Sequence, residues 1–408
     1  MNVLFLSIDV PPGSKRDHII YNFITKEMKY LQAKGHKIYY LSNFLKKNVV
    51  KDDIYYLSKD ALLEKNTIIR RSYNLFFCLR HFWFFKPLSL FVKNIRQILH
   101  ICGVERACIK AIKKFNIDII HTHFFVPNGE AAVLSAKACK IPIVATLRGA
   151  ELHSMPQFDY GACRSKFYKT MLQKSLKYID YITAPNRSLC RKLQLDFGVP
   201  KEKIEYLPNG VEKISFIKNI SNTNREINFI SICSMIKRKN LDIIFASLKE
   251  LLKEFEFKIF IVGSGPLRQR YEKIIKISSL NNILINDEIP KNDLFKLIST
   301  CDCLINPSFC EGMPNVVLES LAIGIPCLVS DIPGHHELIE EGINSFFFDP
   351  YDINSFISKM RYILSNKDIL GRMRDNCINS VKKYSIEIKI DRYIEIYTKL
   401  TSTFRPFQ

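Results

Sequence analysis

Two glutamates in the stretch FCEGMPNVVLE, residues 309–319, have the type and spacing to bind one polar ligand together. Glu311 lies in a segment interrupted by glycine and proline, which predicts a loop, and Pro314 suits the first turn of a helix. Residues 315–323 then continue as an apolar helix. Glu311 would therefore lie at the start of this helix and Glu319 in its second turn, so that both carboxylates can reach a ligand above the helix N-terminus.

A nucleoside diphosphate that carries a sugar has the groups that such a site would recognise. Its ribose offers two adjacent hydroxyls, which the carboxylate of Glu319 can accept together. Its diphosphate needs positive potential, which the first N–H groups of a helix provide; here these belong to Asn315, Val316 and Val317. The sugar needs acceptors and a close backbone, for which the candidates are Glu311, Gly312 and Met313. The alternative is a surface glutamate and a helix-facing glutamate without a binding role.

Three further segments of this half follow predicted strands. CSMIKRKNLDII places Lys239 after one strand, where its charge would face the phosphates. IVGSGPLRQRYE contains Gly263-Ser264-Gly265, a tight turn into a helix. This turn lacks the later glycine of a dinucleotide-binding fingerprint, so NAD binding is not supported. LVSDIPGHHELIEEGINSFFFDP places another turn after a third strand.

Parallel strands are needed to bring these segments together, and both halves of the chain alternate short apolar runs with segments of helical period. In the first half the predicted strands are Val3–Ile8, Lys37–Leu41, Ile117–His121, Ile143–Thr146, Tyr181–Ala184 and Lys203–Leu207. In the second half they are Asn228–Ile232, Lys258–Val262, Ile283–Ile285, Cys303–Asn306, Cys327–Ser330 and Ser345–Phe348. The alternation predicts one doubly wound sheet in each half, with ligands at the carboxyl ends of the strands.

The length and the joining segment set the expected domain boundaries. A chain of 408 residues is long for one core. The polar, turn-rich stretch LPNGVEKISFIKNISNTNREI suggests a linker between the halves. We therefore expect an N-terminal domain over 1–209 and a second domain over 210–384, facing each other across a cleft. The amphipathic segment 385–408 is expected to form a helix that packs back on the first domain.

The composition is that of a globular protein, with 47% hydrophobic and 25% charged residues. Twelve cysteines are scattered without a C-x-x-C pair, which fits free thiols in a reducing cytosol. The start, MNVLFLSIDVPPG, lacks the basic region of a signal peptide and is typical of a buried strand. No run of eighteen apolar residues predicts a membrane span. A cytoplasmic protein is the expectation.

The formal net charge of +20 is unevenly distributed. Residues 66–115 contain ten Lys or Arg and a single acidic residue, Glu105, interleaved with aromatic side chains and the only tryptophan, Trp83. This pattern predicts a polyanionic partner, either nucleic acid or an anionic membrane surface. No nucleic-acid-binding motif is present, and bulky apolar residues between the charges favour the inner face of a membrane. The alternative is a buried helix whose basic residues face solvent.

His121 and His123 form an H-x-H pair at the end of a predicted strand. Such a pair could suggest a metal site, but no third ligand has a fitting spacing. The chain also lacks a D-x-D pair of the metal-chelating kind. We therefore expect no metal. The charge of a bound diphosphate would be neutralised by Lys239 and the helix N-terminus instead.

Together, the segments of the second half resemble the nucleotide-sugar domain of the retaining glycosyltransferases of family 4. The resemblance is carried by INPSFCEGMPNVVLESLAIGIPCLVSDIPGHHELIEEGINSFFFDP, which is similar to that family's pair of glutamates eight residues apart and its Pro-Gly-x-x-Glu-Leu turn. It extends to KRKNLDII, GSGPLRQRYE and the LPNGV hinge, and more loosely to most of the chain. It implies the GT-B fold, with two Rossmann-like domains, and transfer of a sugar with retention of anomeric configuration.

The resemblance also implies roles for individual residues of the second half. Glu311 would contact the donor sugar, Glu319 would hold the ribose and Lys239 would bind the phosphates. The family commonly has Gly-Arg where this chain has Cys233-Ser234, so that Ser234 replaces a phosphate-binding arginine. Either Arg238 or Arg268 is a candidate to take its place.

In the first half the family usually has Thr-x-His-Gly-x-Asp, and its histidine lies beside the transferred sugar. The matching residues here are Arg148, Gly149 and Glu151. An arginine cannot act as a base, but it can donate to the sugar or to a phosphate. The segment DVPPGSKRDH resembles the family's glycine-rich loop beneath the diphosphate, which is reduced here to Gly13-Ser14.

The resemblance thus implies a cytoplasmic glycosyltransferase that moves a sugar from a UDP- or GDP-sugar to a glycan or lipid-linked acceptor and needs no further cofactor. Such a reaction belongs to the synthesis of cell-surface polysaccharide or glycolipid. One alternative is a nucleotide-sugar epimerase on the same fold, which would act on the free donor without an acceptor. Another is a non-catalytic nucleotide-sugar-binding protein, suggested by Ser234 and Arg148.

Overall fold

The computed structural model describes residues 1–7, 22–42, 45–63, 93–214 and 226–404. It divides into two compact units, Met1–Pro208 with Lys389–Gln408, and Asn209–Ile388. Each unit has its own largely parallel sheet and its own apolar core. The predicted fold class, two doubly wound α/β domains, is confirmed.

In the first unit, the described residues form a sheet of eight strands in the order β3-β4-β2-β1-β5-β6-β7-β8. Its strands are β1 Asn2–Leu6, β2 Lys37–Ser42, β3 Val49–Lys51, β4 Ile54–Ser58, β5 Ile119–His123, β6 Ile143–Thr146, β7 Tyr181–Ala184 and β8 Ile204–Tyr206. All neighbours pair in parallel except β3 and β4. The central strands are buried on both faces, as continuous apolar runs such as NVLFL require.

The hairpin of β3 and β4 is absent from the predicted strands. Its two-residue turn is made by Asp52 and Asp53, whose φ angles are 53° and 55°. Positive φ at both central residues is the geometry of a tight hairpin turn that matches strand twist, and aspartate tolerates it. β3 is only three residues long and exposed along its whole length, whereas β4 is largely buried and its apolar run IYYLS was overlooked.

The first unit also contains six helices that precede the linker, within the described residues. They are α1 Asn22–Ala33, α2 Lys59–Leu62, α3 Ile95–Phe115, α4 Phe125–Cys139, α5 Lys166–Leu176 and α6 Arg187–Phe197. Capping residues define the ends of several of these helices. The side chain of Asn186 accepts from the N–H of Leu189 at 2.7 Å and so caps α6, which ends at Gly198 with φ 65°.

In the second unit, the described residues form a sheet of six parallel strands in the order β11-β10-β9-β12-β13-β14. They are β9 Ile227–Ile232, β10 Phe257–Val262, β11 Ile283–Asn286, β12 Cys303–Asn306, β13 Cys327–Ser330 and β14 Phe346–Phe348. This is the dinucleotide-fold strand order, 3-2-1-4-5-6, in which the direction of winding reverses between β9 and β12. The twelve predicted strands are all observed, with ends displaced by no more than two residues.

The helices of the second unit are α7 Leu241–Leu251, α8 Arg268–Ile277, α9 Lys291–Thr300, α10 Asn315–Ile323, α11 Ile353–Ser365 and α12 Asp368–Val381. The last helix, α13 Ile386–Phe404, returns the chain to the first unit at Lys389. There Tyr393 and Tyr397 are fully buried. The hydroxyl of Tyr393 lies 3.0 Å from that of Thr146, and the hydroxyl of Tyr397 hydrogen-bonds to His121. The last helix is thus part of the first unit's core.

Candidate active site

The loops after β9 and β12 lie next to each other at the point where the second sheet reverses its winding. Ligands of doubly wound sheets bind at this place, outside the carboxyl ends of the strands. Lys237–Lys239 forms a short 3-10 turn in the first loop, which ends at Asn240 with φ 52°. Glu311 lies in the second loop, before α10. The strand order therefore brings Lys239 and Glu311, which are 72 positions apart in the sequence, into contact.

Glu311 lies at the centre of a cluster of charged side chains. Its Oε1 accepts hydrogen bonds from Lys239 Nζ and, at 2.7 Å, from Ser308 Oγ, and its Oε2 lies 3.4 Å from Arg238 Nη1. Burial by itself would raise the pKa of Glu311, but the charges of Lys239 and Arg238 outweigh it and lower that pKa to about 2. The carboxylate is therefore ionised, and it holds two cations at the switch point.

The two arginine candidates have different surroundings. Arg238 Nη1 also donates to the carbonyl of Cys310, so its guanidinium is held against the loop that carries Glu311. Arg268, in the first turn of α8, instead pairs with Glu272 at 2.7 Å and with Asp287. Ser234, in the loop after β9, is exposed. The geometry favours Arg238 over Arg268 as the second cation beside Glu311.

The glycines after β10 serve the packing of two loops. Gly263 and Gly265 have φ angles of 141° and 154°, and a Cβ on either would overlap the backbone of Cys233 or Met235. The N–H of Met235 donates to the carbonyl of Ser264 at 2.8 Å. The G-x-G turn therefore supports the loop that carries Lys239, which explains these glycines without a dinucleotide.

The turn after β13 packs against the backbone of Glu311. A Cβ on Gly334 would overlap the carbonyl of Glu311, so this position requires glycine for close approach. The next residue, His335, is fully buried, and its Nδ1 lies 2.7 Å from the carbonyl of Ser330. That contact assigns the proton to Nδ1, since a carbonyl can only accept. Burial lowers the pKa of His335 to about 4, so the ring is neutral at pH 7.

Helix α10 begins as the sequence predicts, with Pro314 as its N-cap and Asn315 as its first residue. Within the described residues no side chain caps it, so its first N–H groups are available to an anion. Asn209, from the LPNGV hinge, braces this start. Its side-chain N–H₂ donates to the carbonyl of Met313 at 2.9 Å and to Asn315 Oδ1 at 2.8 Å. The Met313 carbonyl, a candidate for contact with sugar, is therefore already engaged by Asn209.

Glu319 lies further along α10 and has a single charged partner within the described residues. Lys291 Nζ is 2.5 Å from Glu319 Oε1, and the two side chains are 24% and 15% exposed. Lys291 is the first residue of α9, directly after Pro290. Sequence reasoning missed Lys291, because nothing in the segment IPKNDLF indicates which carboxylate its lysine meets.

Arg148 lies at the carboxyl end of β6, in a buried ion cluster of the first unit. Its Nη2 donates to Glu27 Oε1 at 3.0 Å and to His123 Nδ1 at 3.2 Å, and its guanidinium lies 4.4 Å above the Phe23 ring. Lys389 Nζ, from α13, is 2.8 Å from the same Glu27 oxygen. Burial would raise the pKa of Glu27, but Lys389 and Arg148 outweigh it and lower that pKa. Sequence reasoning missed both Glu27 and Lys389.

Glu151, which matches the family's aspartate, acts on the backbone. It accepts hydrogen bonds from the N–H groups of Phe125 at 3.1 Å and Gly149 at 3.0 Å, and also from the N–H of Arg148. These contacts tie the loop after β6 to the first turn of α4. Burial raises the pKa of Glu151, and the backbone N–H groups oppose that change. Its position between two loops makes it a structural support for Arg148.

His121 and His123 belong to the core of the first unit. His121 Nε2 lies 2.8 Å from Thr146 Oγ1, and burial lowers the pKa of His121 to about 3. In the part of the chain that the structure describes, no three His, Cys, Asp or Glu side chains are grouped to hold a metal ion. The histidine pair is therefore accounted for by hydrogen bonds to neighbouring side chains.

Several predictions from the sequence fall wholly or partly outside the described residues, and two of them concern the candidate site and its partners. Gly13 is one, and residues 66–92 of the basic stretch 66–115 are the other. In the remainder of that stretch, α3 buries Ile98, Ile101 and Cys102 while Lys113 and Lys114 stay exposed. This part follows the alternative of a buried helix whose basic residues face solvent, except that Arg106 is itself buried. None of the described helices has the length and hydropathy of a membrane span.

Comparison with known proteins extends over most of the chain. Residues 22–213 match the family model "Glycosyltransferase Family 4", and residues 212–384 match "Glycosyl transferases group 1". The chain is 25% identical over 312 residues to an Escherichia coli UDP-Gal:alpha-D-GlcNAc-diphosphoundecaprenol alpha-1,3-galactosyltransferase, covering 71% of this chain and 77% of that protein.

Solved structures share the fold over nearly the whole length. A glycosyltransferase from Rickettsia africae ESF-5 superposes with a TM-score of 0.70 at 17% identity, covering 98% of each chain. HepE from Anabaena, in complex with UDP-glucose, gives a TM-score of 0.68 at 13% identity, covering 98% of this chain and 100% of that one. Both family models match in succession along the chain, and solved glycosyltransferases share its fold over nearly its whole length. The protein therefore belongs to the GT-B glycosyltransferases of family 4.

Proposed function

We propose that this glycosyltransferase moves a hexose from a UDP- or GDP-sugar to a glycan or lipid-linked acceptor, with retention of anomeric configuration, in the synthesis of cell-surface polysaccharide or glycolipid. The observation that carries the proposal is the ionised Glu311 with Lys239 and Arg238 at the switch point of the second sheet. The names of the similar proteins support it, since one includes UDP-Gal and a diphosphoundecaprenol acceptor and another a complex with UDP-glucose.

In this proposal, cations and helix amides stabilise the leaving diphosphate. Lys239 has three N–H donors, so it can keep its contact with Glu311 and still donate to a phosphate oxygen. Arg238 supplies the second positive charge, which in the family commonly comes from an arginine at the position of Ser234. The uncapped N-terminus of α10, with Asn315 and Val316, adds a further positive potential. Charge stabilisation of this kind can be the largest single contribution to catalysis, and it assigns no step to a metal.

Glu311, Gly312 and Met313 would lie against the donor sugar, and Glu319 would accept the two ribose hydroxyls. Lys291 holds one oxygen of the Glu319 carboxylate at 2.5 Å and so restricts its rotation before the nucleotide binds. Gly13, Ser234 and Arg268 remain candidates for contact with the diphosphate. Arg148, clamped by Glu27 in the first unit, would present a fixed positive charge to the transferred sugar.

The basic stretch 66–115, with its aromatic residues, is proposed to contact an anionic membrane surface on the cytoplasmic side. Its composition supports this, because basic and aromatic side chains together favour the lipid interface. A peripheral contact would place the enzyme beside a lipid-linked acceptor.

The test of the proposal is a screen of the purified protein against UDP- and GDP-sugars, with thermal stabilisation and transfer as readouts. One donor should raise the melting temperature and be consumed in the presence of an acceptor. The variant Glu319→Ala should lose the stabilisation, whereas Glu256→Ala, at an exposed position of the same unit, should keep it. Conversion of the donor without an acceptor would favour an epimerase, and stabilisation without turnover would favour a binding protein. No stabilisation and no transfer with any donor would contradict the proposal.

A further inference from the structure

A cavity of about 260 Å³, open to solvent, lies in the first unit, apart from the ion cluster around Arg148. It is lined by Arg96, Gln97, His100, Ile101 and Tyr168. This volume suits one sugar ring or one diphosphate group and is too small for a whole nucleotide-sugar.

The topology places this cavity at the edge of the sheet where ligands bind. α3 leads into β5 and α5 leads into β7, so both helices run back from the carboxyl ends of the parallel strands. Their first turns, which supply Arg96, His100 and Tyr168, therefore lie at the carboxyl edge. Hydrogen bonds lead from the cavity to the end of β1, since His100 Nε2 lies 3.4 Å from Asn128 Oδ1, and Asn128 Nδ2 donates to the carbonyl of Ser7 at 2.8 Å.

Most of the surface that faces the cavity is apolar, and the exposed side chains of Arg96 and Gln97 add hydrogen-bond donors and one permanent positive charge at its rim. Arg96 and Gln97 make no ion pair or hydrogen bond through their side chains within the described residues. Burial and the nearby Glu130 raise the pKa of Tyr168, so its hydroxyl stays protonated and can donate. The Arg96 guanidinium, the Gln97 amide and the Tyr168 phenol can donate to the oxygens of a phosphate ester, whereas the His100 ring already donates to Asn128.

We propose that this cavity binds the phosphate group next to the sugar of the acceptor substrate. The inference rests on the proposed function, because it places the acceptor on the first unit of a glycosyltransferase. The phosphate could belong to a lipid-linked diphosphate, as in the name of the Escherichia coli relative, or to a soluble sugar phosphate. Both sources share the chemistry that Arg96 and Tyr168 would recognise.

The experiment is calorimetry on the full chain at saturating UDP, so that the donor site is occupied, with inorganic pyrophosphate, farnesyl diphosphate and farnesol as probes. The wild type should bind the two diphosphates and not farnesol. Arg96→Glu should weaken diphosphate binding about tenfold or more, because it replaces a charge-assisted hydrogen bond with repulsion. Tyr168→Phe should weaken it less. Tighter binding of farnesyl diphosphate than of pyrophosphate would assign the lipid-linked source, and equal binding the soluble one.

A matched control lies on the same helix. Lys113→Glu makes the same change of charge at an exposed position near the other end of α3 and should leave the affinity unchanged. Wild-type affinity in Arg96→Glu, or an equal loss in Lys113→Glu, would overturn the inference. UDP affinity, measured separately for each variant, should match that of the wild type. Failure of the wild type to bind UDP would count against the donor site and not against this cavity.

Discussion

Glu311 and Glu319 are eight residues apart, yet their surroundings differ in the number of charges. Glu311 meets two cations and a hydroxyl, while Glu319 meets Lys291. A carboxylate that already neutralises two cations is suited to hold them in place for a substrate. A carboxylate with one partner retains more capacity to accept hydroxyl groups. Substitutions at the two positions should therefore fail in different ways.

Glu319→Ala should weaken the binding of free nucleotide, because the ribose loses its acceptor. A charge-assisted hydrogen bond contributes about 1.5–3 kcal/mol, which corresponds to roughly a tenfold or greater loss of affinity. Calorimetry with UDP and GDP measures this. Glu311→Ala should spare the free nucleotide and reduce turnover of the nucleotide-sugar. Unchanged nucleotide affinity in Glu319→Ala would exclude the ribose contact.

Lys239→Ala should reduce turnover by about a hundredfold or more, because one group that stabilises the leaving diphosphate is lost. The activity of the wild type should survive EDTA, since the proposed charge stabilisation comes from side chains and helix amides. Initial rates with and without chelator measure both effects. Loss of activity in EDTA that manganese restores would contradict this account.

Protonation of Glu311 should destabilise the second unit in acid. The pKa of Glu311 in the folded state is about 2, below the usual value near 4.5, so the folded state binds fewer protons than the unfolded state at pH values between these two. Stability from this group is complete above about pH 4.5 and falls as the pH decreases towards 2. By pH 3 the loss is about 2 kcal/mol. Urea unfolding of the wild type between pH 3 and 7 should show this component, and Glu311→Gln should lack it.

At the scale of elements, the ion cluster of Glu27, Arg148 and Lys389 joins α1, the loop after β6 and α13. The side chains of these residues are 3%, 6% and 2% exposed, so each buried charge is compensated by the opposite charges beside it and not by water. Removal of one partner from a buried pair leaves an uncompensated charge, which costs far more than the pair contributes as a whole. The fixed position of Arg148 is therefore a property of three elements.

Glu27→Gln should lower the free energy of unfolding by about 3–5 kcal/mol, because Arg148 and Lys389 lose their shared counter-charge. The matched control is Asp391→Asn, which removes the exposed partner of Lys34 from α13, the helix that also carries Lys389, and should cost less than about 1 kcal/mol. Adding Lys389→Met to Glu27→Gln should restore part of the loss, as the double-mutant cycle would show. Equal effects of Glu27→Gln and Asp391→Asn in chemical unfolding would argue against the cluster.

At the scale of the whole molecule, the net charge of +20 is the most distinctive property, and the basic stretch is part of the first unit. We expect the protein to sediment with anionic vesicles at low salt and to be released at high salt. Each basic residue near such a surface contributes about 1 kcal/mol, and salt screens that attraction. The variant with Arg80→Glu and Lys86→Glu should sediment less. If the wild type stays in the supernatant at low salt, a soluble acceptor becomes the better hypothesis.

The sequence by itself determined the elements and their order. Continuous apolar runs between glycine, proline and asparagine are local signals, so twelve of the fourteen strands in the described residues could be predicted to within two residues. Pro314 marked the start of α10 because a proline lacks the N–H that a first turn leaves unpaired. In the hairpin at Asp52 and Asp53, β3 escaped because it is short and exposed, whereas β4 is largely buried and its apolar run IYYLS was overlooked.

Only the tertiary structure decided which charges meet. Lys239 and Glu311 are 72 positions apart, Lys291 and Glu319 are 28 apart, and Arg148 and Glu27 are 121 apart. Each pair forms because sheet order and helix packing bring its elements together, and the energy of an ion pair depends on that distance and on burial. A local pattern contains neither quantity. The sequence therefore indicated the chemistry of Glu311, Glu319 and Lys239, while the partners that hold their charges follow from strand order.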